Sequence, residues 1–183
     1  MEDKSLIWKT EKSELLLRTR VFGVLKQSEL SPIGTRGDYI ALEAPDCVVI
    51  IPELEGSFLL VRQWRHGADM LTSEFPGGVI DRGEDPATAA ARELREETGF
   101  NAESLDLLGV CSPNPALFKS RFYVYLARGL MPAGELELDS DEFLNCFKMP
   151  VDEVIASFGS GEYNHAFMGA ALMMYMRKQR SKE

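Results

Sequence analysis

The apolar residues of this chain occur mostly in short runs separated by turn-forming residues, a pattern typical of β-strands. The runs are rich in β-branched and aromatic residues, which favour extended backbone. We therefore predict strands within 14–27, 37–45, 47–53, 56–65, 71–81, 105–113, 121–129 and 143–150, the fifth of them broken by a Pro-Gly-Gly turn. Residues 1–44, where the breaker-rich SPIGTRG separates the first two runs, are expected to form a small N-terminal β subdomain, which leaves 45–183 as the main domain.

A helical period replaces the strand pattern in three segments, residues 86–98, about 150–158 and about 165–180. The first segment has clear boundary signals. Asp85 can cap the helix, Pro86 suits its first position, and Gly99 suits the position just past its end. Strands and helices together indicate an α+β fold in which helices pack on a mixed sheet.

The helix predicted at 86–98 has an apolar stripe and a separate acidic face. On a helical wheel with about 100° per residue, Glu93, Glu96 and Glu97 share one face about 100° wide. The apolar stripe lies on a different side, and we expect it to face the core. It consists of Ala87, Ala90, Ala91 and Leu94.

Two interpretations of the acidic face remain open. It can be a solvated surface on which Arg92 pairs with Glu96 and Arg95 neutralises the remainder, because each like-charge pair costs only roughly a few tenths of a kcal/mol. It can also bind a divalent cation, which would turn each repulsion into an attraction. Carboxylate oxygens without Cys or His select hard ions, Mg²⁺ or Mn²⁺, rather than zinc.

Composition limits the partners of the chain. A net charge of −9 and an isoelectric point near 4.9 repel polyanions, which argues against nucleic acid and anionic membranes. A small phosphorylated ligand is compatible with this charge if metal ions mediate the contact.

The longest apolar stretch, residues 166–176, is shorter than the roughly 20 residues of a membrane span, and the amino terminus has no signal pattern, so we expect a cytoplasmic protein. The three cysteines lack metal-binding spacing and are expected to be reduced.

Residues 78–100, GVIDRGEDPATAAARELREETGF, resemble the signature box of the Nudix hydrolases. That box is a Gly, five residues, a Glu, seven residues, and then Arg-Glu-aliphatic-x-Glu-Glu-x-Gly-aliphatic, and the chain keeps this spacing throughout. The resemblance implies a loop-helix-loop on an α/β/α sandwich and Mg²⁺-dependent cleavage of a nucleoside diphosphate linked to another moiety. The matching positions are Gly78, Glu84, Arg92, Glu93, Leu94, Glu96, Glu97 and Gly99, with Phe100 in the last apolar place.

The resemblance also implies roles for individual residues. Two or three Mg²⁺ ions, with Mn²⁺ as the alternative, would polarise the diphosphate and activate a water molecule. Arg92 orients the glutamates, and Glu97 is a catalytic as well as a metal-binding residue. The general base is a glutamate on a later loop, which corresponds to Glu142 here, with Asp139 and Asp141 as alternatives and a plain solvated acidic loop as the other interpretation. The metal ligands implied are Glu93, Glu96, Glu97 and the backbone carbonyl of Gly77.

Sequence around the box is similar to the branch of the family that hydrolyses ADP-ribose and nucleoside diphosphate sugars. The similar segments are LVRQWRHG, SEFPGG and SPNPALFKSRFYVYLA, the last of which places Pro115 after the box. This resemblance implies an N-terminal β subdomain that forms an intertwined homodimer and contacts the substrate. Arg65, which ends a strand pointing toward the box, is a candidate to bind a phosphate, and Glu74 is a candidate to bind the terminal ribose or sugar, with ordinary surface charges as the other interpretation of both. Where many ADP-ribose enzymes have Pro-Gly, this chain has Pro113-Asn114-Pro115, so the sugar and the base stay open.

Other activities use the same scaffold. A nucleoside triphosphate or dinucleoside polyphosphate hydrolase would use the same metal chemistry. A nucleotide-binding module without catalysis would need fewer of the box glutamates than the chain retains. An isopentenyl diphosphate isomerase would need catalytic Cys and Glu motifs that are not found in the sequence. The leading expectation is therefore a sugar-nucleotide pyrophosphatase.

Overall fold

The computed structural model describes residues 3–138, 140 and 142–181. Nine strands and three α-helices follow a 3-10 turn at Asp3–Leu6 in this part of the chain. The helices are α1 (Pro86–Thr98), α2 (Val151–Ser157) and α3 (Ala166–Arg180). The strands are β1 (Lys9–Arg18), β2 (Gly23–Leu30), β3 (Arg36–Glu43), β4 (Cys47–Leu54), β5 (Ser57–Arg65), β6 (Met70–Glu74), β7 (Phe100–Cys111), β8 (Phe122–Pro132) and β9 (Leu144–Pro150). None of the helices in these residues is long and apolar enough to cross a membrane.

The chain divides into two compact units, one formed by residues 1–45 with 112–121 and the other by 46–111 with 122–183. The first unit contains an antiparallel sheet in the order β1-β2-β3. The apolar run at 14–27, predicted as one strand, is two strands here. The hydroxyl of Thr19 donates to the Phe22 carbonyl and accepts from the Val21 and Phe22 amides, and these bonds close a turn between β1 and β2.

The second unit is built on a mixed sheet in the order β6-β5-β4-β8-β7, with β9 paired to β5. The pairing of β4 with β8 is parallel, and the other strand pairs are antiparallel. Side chains of α1 cover one face of the sheet, and side chains of α2 and α3 cover the other. The predicted α+β fold, an α/β/α sandwich with a mixed sheet, is confirmed.

Strand β4 shows why both faces are covered. Val48 and Ile50 point to one side and pack with the alanines of α1, whereas Val49 and Ile51 point to the other side and pack with residues of α2 and α3. Successive side chains of a strand point to opposite faces, so a continuous apolar run requires a helix layer on each side. The run CVVIIPE therefore marks the centre of the sandwich.

Helix α1 begins and ends where its sequence predicts. The Asp85 carboxylate accepts hydrogen bonds from the amides of Ala87 and Thr88, and Gly99 adopts the left-handed conformation with φ of 73°. The predicted core face of this helix is partly wrong, because Ala91 is exposed. Several residues of the opposite side are buried because the segment after β6 covers that side of the helix. The buried residues of α1 are Ala89, Ala90, Glu93, Leu94, Glu97 and Thr98.

Candidate active site

Two glycines bring the chain after β6 against both β4 and α1. Residues 76–80 pair with the first half of β4, through bonds from the amides of Val48 and Ile50 to the carbonyls of Gly78 and Pro76. A Cβ on Gly77 would stand 2.2 Å from the Val48 carbonyl oxygen, and a Cβ on Gly78 would stand 2.3 Å from a carboxylate oxygen of Glu93. Only glycine allows approaches this close, so the Pro-Gly-Gly turn places backbone directly beside the box glutamates.

Glu97 is buried next to this turn. Its side chain accepts a hydrogen bond of 2.8 Å from the Gly77 amide, and the whole residue is 3 % exposed. Burial raises the pKa of Glu97 to about 8. The Gly77 bond and the charge of Arg65 oppose this rise, whereas the charges of Glu93 and Glu142 add to it. The site thus holds a carboxylate whose negative charge the protein does not fully compensate.

Glu93 and Glu142 extend this acidic group. Burial raises the pKa of Glu93, Arg92 opposes that rise, and the charges of Glu96 and Glu142 add to it. Glu142 is exposed and precedes β9, yet its charge acts on both Glu93 and Glu97. The charge of a carboxylate in the segment before β9 therefore reaches the buried carboxylates of α1. The alternative bases named from the sequence, Asp139 and Asp141, lie outside the described residues.

Arg92 connects the acidic residues on one side of α1. Its guanidinium contacts Glu93 at 2.8 Å and Glu96 at 3.1 Å, and the predicted pair with Glu96 is confirmed. It also makes two bonds of 3.1 Å to the carboxylate of Glu84 and one of 3.1 Å to the Val79 carbonyl. The sequence predicted Glu84 only as a position of the box. The structure adds that Glu84, in the loop before α1, binds the Arg92 guanidinium.

A second polar group surrounds Glu74 at the end of β6. The Glu74 carboxylate accepts from Arg65 Nε at 2.7 Å and from the Thr72 hydroxyl at 2.9 Å, and His165 Nδ1 lies 3.3 Å from its other oxygen. Glu74 is buried, and burial lowers the pKa of His165, with the charge of Glu74 opposing that effect. The structure brings Arg65 and Glu74 together, and the Arg65 charge reaches Glu97. The sequence did not predict a contact between His165 and Glu74. His165 lies at the start of α3.

A profile of the NUDIX domain matches residues 43–167, which is more than half of the chain. This chain belongs to the NUDIX family. The match includes the complete box and the strands on both sides of it, so the family assignment made from the box is confirmed.

Curated relatives and a solved structure cover most of this NUDIX chain. The methanol dehydrogenase activator of Bacillus methanolicus is 30 % identical over 149 residues, 80 % of each chain. The ADP-ribose pyrophosphatase of Bacillus subtilis is 28 % identical over 178 residues, 96 % of each chain. The ADP compounds hydrolase NudE of Escherichia coli is 30 % identical over 163 residues, 88 % of this chain and 87 % of that one. A crystal structure of an ADP compounds hydrolase superposes with a TM-score of 0.87 at 29 % identity over 98 % of each chain. Similarity to the ADP-ribose pyrophosphatase branch is confirmed.

The NUDIX family depends on divalent cations, so the acidic residues can be tested for their fit to one. Among the described residues, no three His, Cys, Asp or Glu side chains converge on a common centre, and Arg92 pairs with both Glu93 and Glu96. The donor chemistry nevertheless fits a hard cation, since every side chain offers oxygen. Burial without full compensation raises the pKa of both Glu93 and Glu97, and a bound cation would relieve that cost.

Proposed function

We propose that this chain is a divalent-metal-dependent pyrophosphohydrolase that cleaves ADP-ribose or a related nucleoside diphosphate sugar into a nucleoside monophosphate and a sugar phosphate. The observation that carries the proposal is the burial of Glu93 and Glu97, both of which feel the charge of Glu142, together with the positive charge of Arg65 acting on Glu97. A diphosphate needs both cation-binding oxygens and a cationic side chain. The named activities of the Bacillus subtilis and Escherichia coli relatives support the class of substrate.

Glu93, Glu96, Glu97 and the Gly77 carbonyl would hold two or three Mg²⁺ or Mn²⁺ ions. When bound, such ions withdraw charge from phosphorus and lower the pKa of an attacking water. The carbonyls of Pro76 and Gly78 are taken by β4, and carbonyl directions alternate along an extended segment, which aims the Gly77 carbonyl away from β4. Arg92 sets the direction of Glu93 and Glu96 through its bonds to both carboxylates.

Glu142 would act as the general base that takes the proton of the attacking water. It is exposed, whereas Glu93 and Glu97 are buried, so it alone of the three carboxylates is accessible to a solvent molecule without displacing protein. A base must lie within hydrogen-bond reach of the water from which it takes the proton. Because Glu142 is exposed, a water molecule can reach its carboxylate.

Arg65 would bind a phosphate of the substrate. Glu74 holds the Nε of its guanidinium, and the side chain of Arg65 is 41 % exposed. A guanidinium fixed through Nε can offer its two terminal nitrogens to a phosphate. The oxygens of Glu74 are engaged by Arg65, Thr72 and His165, so we propose that Glu74 acts on the substrate by positioning Arg65 rather than by the predicted contact to the sugar.

Product analysis tests the proposed function directly. Purified protein with Mg²⁺ is incubated with ADP-ribose, other ADP- and UDP-sugars, nucleoside triphosphates and dinucleoside polyphosphates, and the products are identified by mass. We expect AMP and ribose phosphate from ADP-ribose, with loss of activity in EDTA and in Glu97→Gln. Glu153→Gln, on the exposed first turn of α2, is the matched control and should retain activity. Hydrolysis of triphosphates alone would instead support the alternative activity.

The N-terminal sheet supports a homodimer as the functional form. All ten residues of β1 are exposed, including Leu15, Leu16 and Leu17, and β1 is the edge of its sheet. An exposed apolar edge strand is a template for pairing with another chain. We propose that a second copy covers it. Light scattering after size exclusion should give the dimer mass for the wild type and the monomer mass for Leu16→Glu, and a monomeric wild type would refute the proposal.

A further inference from the structure

The segment after β8 closes the C-terminal end of α1. The amide of Ala133 donates to the Gly99 carbonyl at 2.7 Å, and the amide of Glu137 donates to the Glu96 carbonyl at 2.9 Å. The last carbonyls of a helix have no hydrogen-bond partners within the helix. These two bonds therefore replace hydrogen bonds that the carbonyls would otherwise make to water. We call residues 133–137 the capping segment. It is attached to the same turn of α1 that carries Glu96 and Glu97.

Arg95 fixes the capping segment through two further bonds. Its Nη1 donates to the Glu135 carbonyl at 2.9 Å, and its Nη2 donates to the Glu137 carboxylate at 2.6 Å. The Arg95 side chain is 22 % exposed, although Glu137 is 65 % exposed. Close packing accompanies these bonds, since a Cβ on Gly99 would stand 2.5 Å from the Gly134 carbonyl oxygen. The Arg95 guanidinium thus binds the capping segment at two positions, Glu135 and Glu137.

The capping segment leads directly to Glu142. Four residues of chain separate Glu137 from Glu142, which limits the distance between their Cα atoms to at most about 18 Å. On its other side, Glu142 is two residues from Leu144, where β9 begins its pairing with Gln63 of β5. The short stretch that carries Glu142 is therefore anchored at both ends, at β9 and at the capping segment that Arg95 holds.

We propose that Arg95 is a positioning residue for Glu142. The inference rests on the proposed function, in which Glu142 is the general base. Arg95 occupies the unspecified position of the box, between Leu94 and Glu96, so the box itself gives it no role. Its bonds hold the capping segment, and this segment anchors one end of the short stretch that carries Glu142. A competing explanation is that Arg95 only stabilises the negative end of α1.

A double-mutant cycle separates the two explanations. Steady-state kcat and KM for the sugar nucleotide are measured in the wild type, Arg95→Ala, Glu142→Gln and the double variant. We expect Arg95→Ala to lower kcat by about tenfold with KM within about twofold, because a displaced base loses its alignment. In the Glu142→Gln background the same substitution should cause no further loss. Equal losses in both backgrounds would overturn the inference.

Amide hydrogen exchange gives a readout that does not depend on activity. Peptides covering residues 133–138 and 142–146 should exchange faster in Arg95→Ala than in the wild type, while those of β4 stay unchanged. Arg180→Ala, at the exposed end of α3, is the matched control, and Arg95→Lys should restore part of the protection. Unchanged exchange in Arg95→Ala would overturn the inference. Wild-type kcat in Glu142→Gln would overturn the proposed base instead, and exchange would still report whether Arg95 holds the segment.

Discussion

Glu93 lies against Gly78 so closely that no side chain fits between them. A Cβ at position 78 would stand 2.3 Å from Oε1 of Glu93 and 2.5 Å from its carboxyl carbon. The glycine that opens the box and the first glutamate of its helix thus share one contact, although fourteen residues separate them. The carboxylate of Glu93 leaves no room for a side chain at position 78. A substitution of Gly78 therefore tests the position of Glu93.

Gly78→Ala should impair catalysis far more than folding. The clashing atoms are the end of a flexible side chain, which can rotate away, so we expect a loss of stability of about 1 kcal/mol. Glu93 would then leave its place beside Glu97, and we expect kcat to fall by roughly two orders of magnitude. The measurements are kcat under saturating Mg²⁺ and thermal unfolding by circular dichroism. Gly67→Ala, where a Cβ meets no atom within 4 Å, is the control. Activity within threefold of the wild type would contradict the prediction.

Gly77→Ala should cost more stability than Gly78→Ala. Here the clash is with backbone, 2.2 Å from the Val48 carbonyl oxygen, and neither partner can rotate away. The strand β4 or the turn must shift, at a cost of about 3 kcal/mol. Urea denaturation of both variants measures their free energies of unfolding, and Gly77→Ala should have the lower value. If Gly77→Ala proved as stable as Gly78→Ala, the close backbone approach in the structure would be wrong.

The box predicted its own helix because its signals are local. Asp85, Pro86 and Gly99 act through bonds to residues within a few positions, and the Arg92 to Glu96 pair follows from helical spacing. These features are present as predicted. Periodicity therefore predicted the helix and the angles between its side chains, and the capping residues predicted its ends.

Burial of the acidic face was not predictable in the same way. A wheel gives the angle between side chains, but the covering of a face depends on which distant segment packs there. Residues 76–80 pair with β4 and cover Glu93 and Glu97, while Ala91 stays exposed. The contact of His165 with Glu74 has the same origin, since it joins the start of α3 to the end of β6, two elements far apart in the chain. Long-range packing, rather than local preference, sets these features.

Glu74→Gln should weaken substrate binding more than turnover. The substitution keeps the shape of the side chain but removes the charge that holds Arg65 Nε at 2.7 Å. Charge-assisted hydrogen bonds are about twice as strong as neutral ones, so Arg65 should become less ordered. We expect KM to rise by roughly tenfold, with kcat changed by less than about threefold. Arg36→Ala, at an exposed ion pair of β3, is the control. A fall in kcat at unchanged KM would argue against a binding role for Arg65.

Glu142→Gln should lower turnover without changing substrate affinity. An amide cannot accept the proton of the attacking water, and loss of a general base costs roughly two orders of magnitude or more in kcat. KM should stay within about twofold, because Glu142 is not proposed to bind the substrate. Asp139→Asn and Asp141→Asn are the matched comparisons. Should either of these lose activity while Glu142→Gln keeps it, the role of base would pass to that aspartate.

The raised pKa of Glu97 predicts that the metal-free protein loses stability as pH rises. In the unfolded chain the pKa of this carboxyl has its ordinary value of 4.5, whereas burial raises its pKa in the folded protein to about 8. Between these values the folded state binds more protons than the unfolded state, so the free energy of unfolding falls with increasing pH. The destabilisation begins near pH 4.5 and is complete above about pH 8, with a total on the order of a few kcal/mol.

Urea denaturation in EDTA between pH 5 and pH 9 measures this effect. Glu97→Gln cannot ionise, so its unfolding free energy should lack this part of the pH dependence, and Glu153→Gln should follow the wild type. If Mg²⁺ binds the ionised carboxylate of Glu97 as proposed, it should stabilise the wild type most at high pH. Parallel pH curves for the wild type and Glu97→Gln would show that Glu97 is not protonated in the folded protein, and the argument for a cation relieving its buried charge would fail with it.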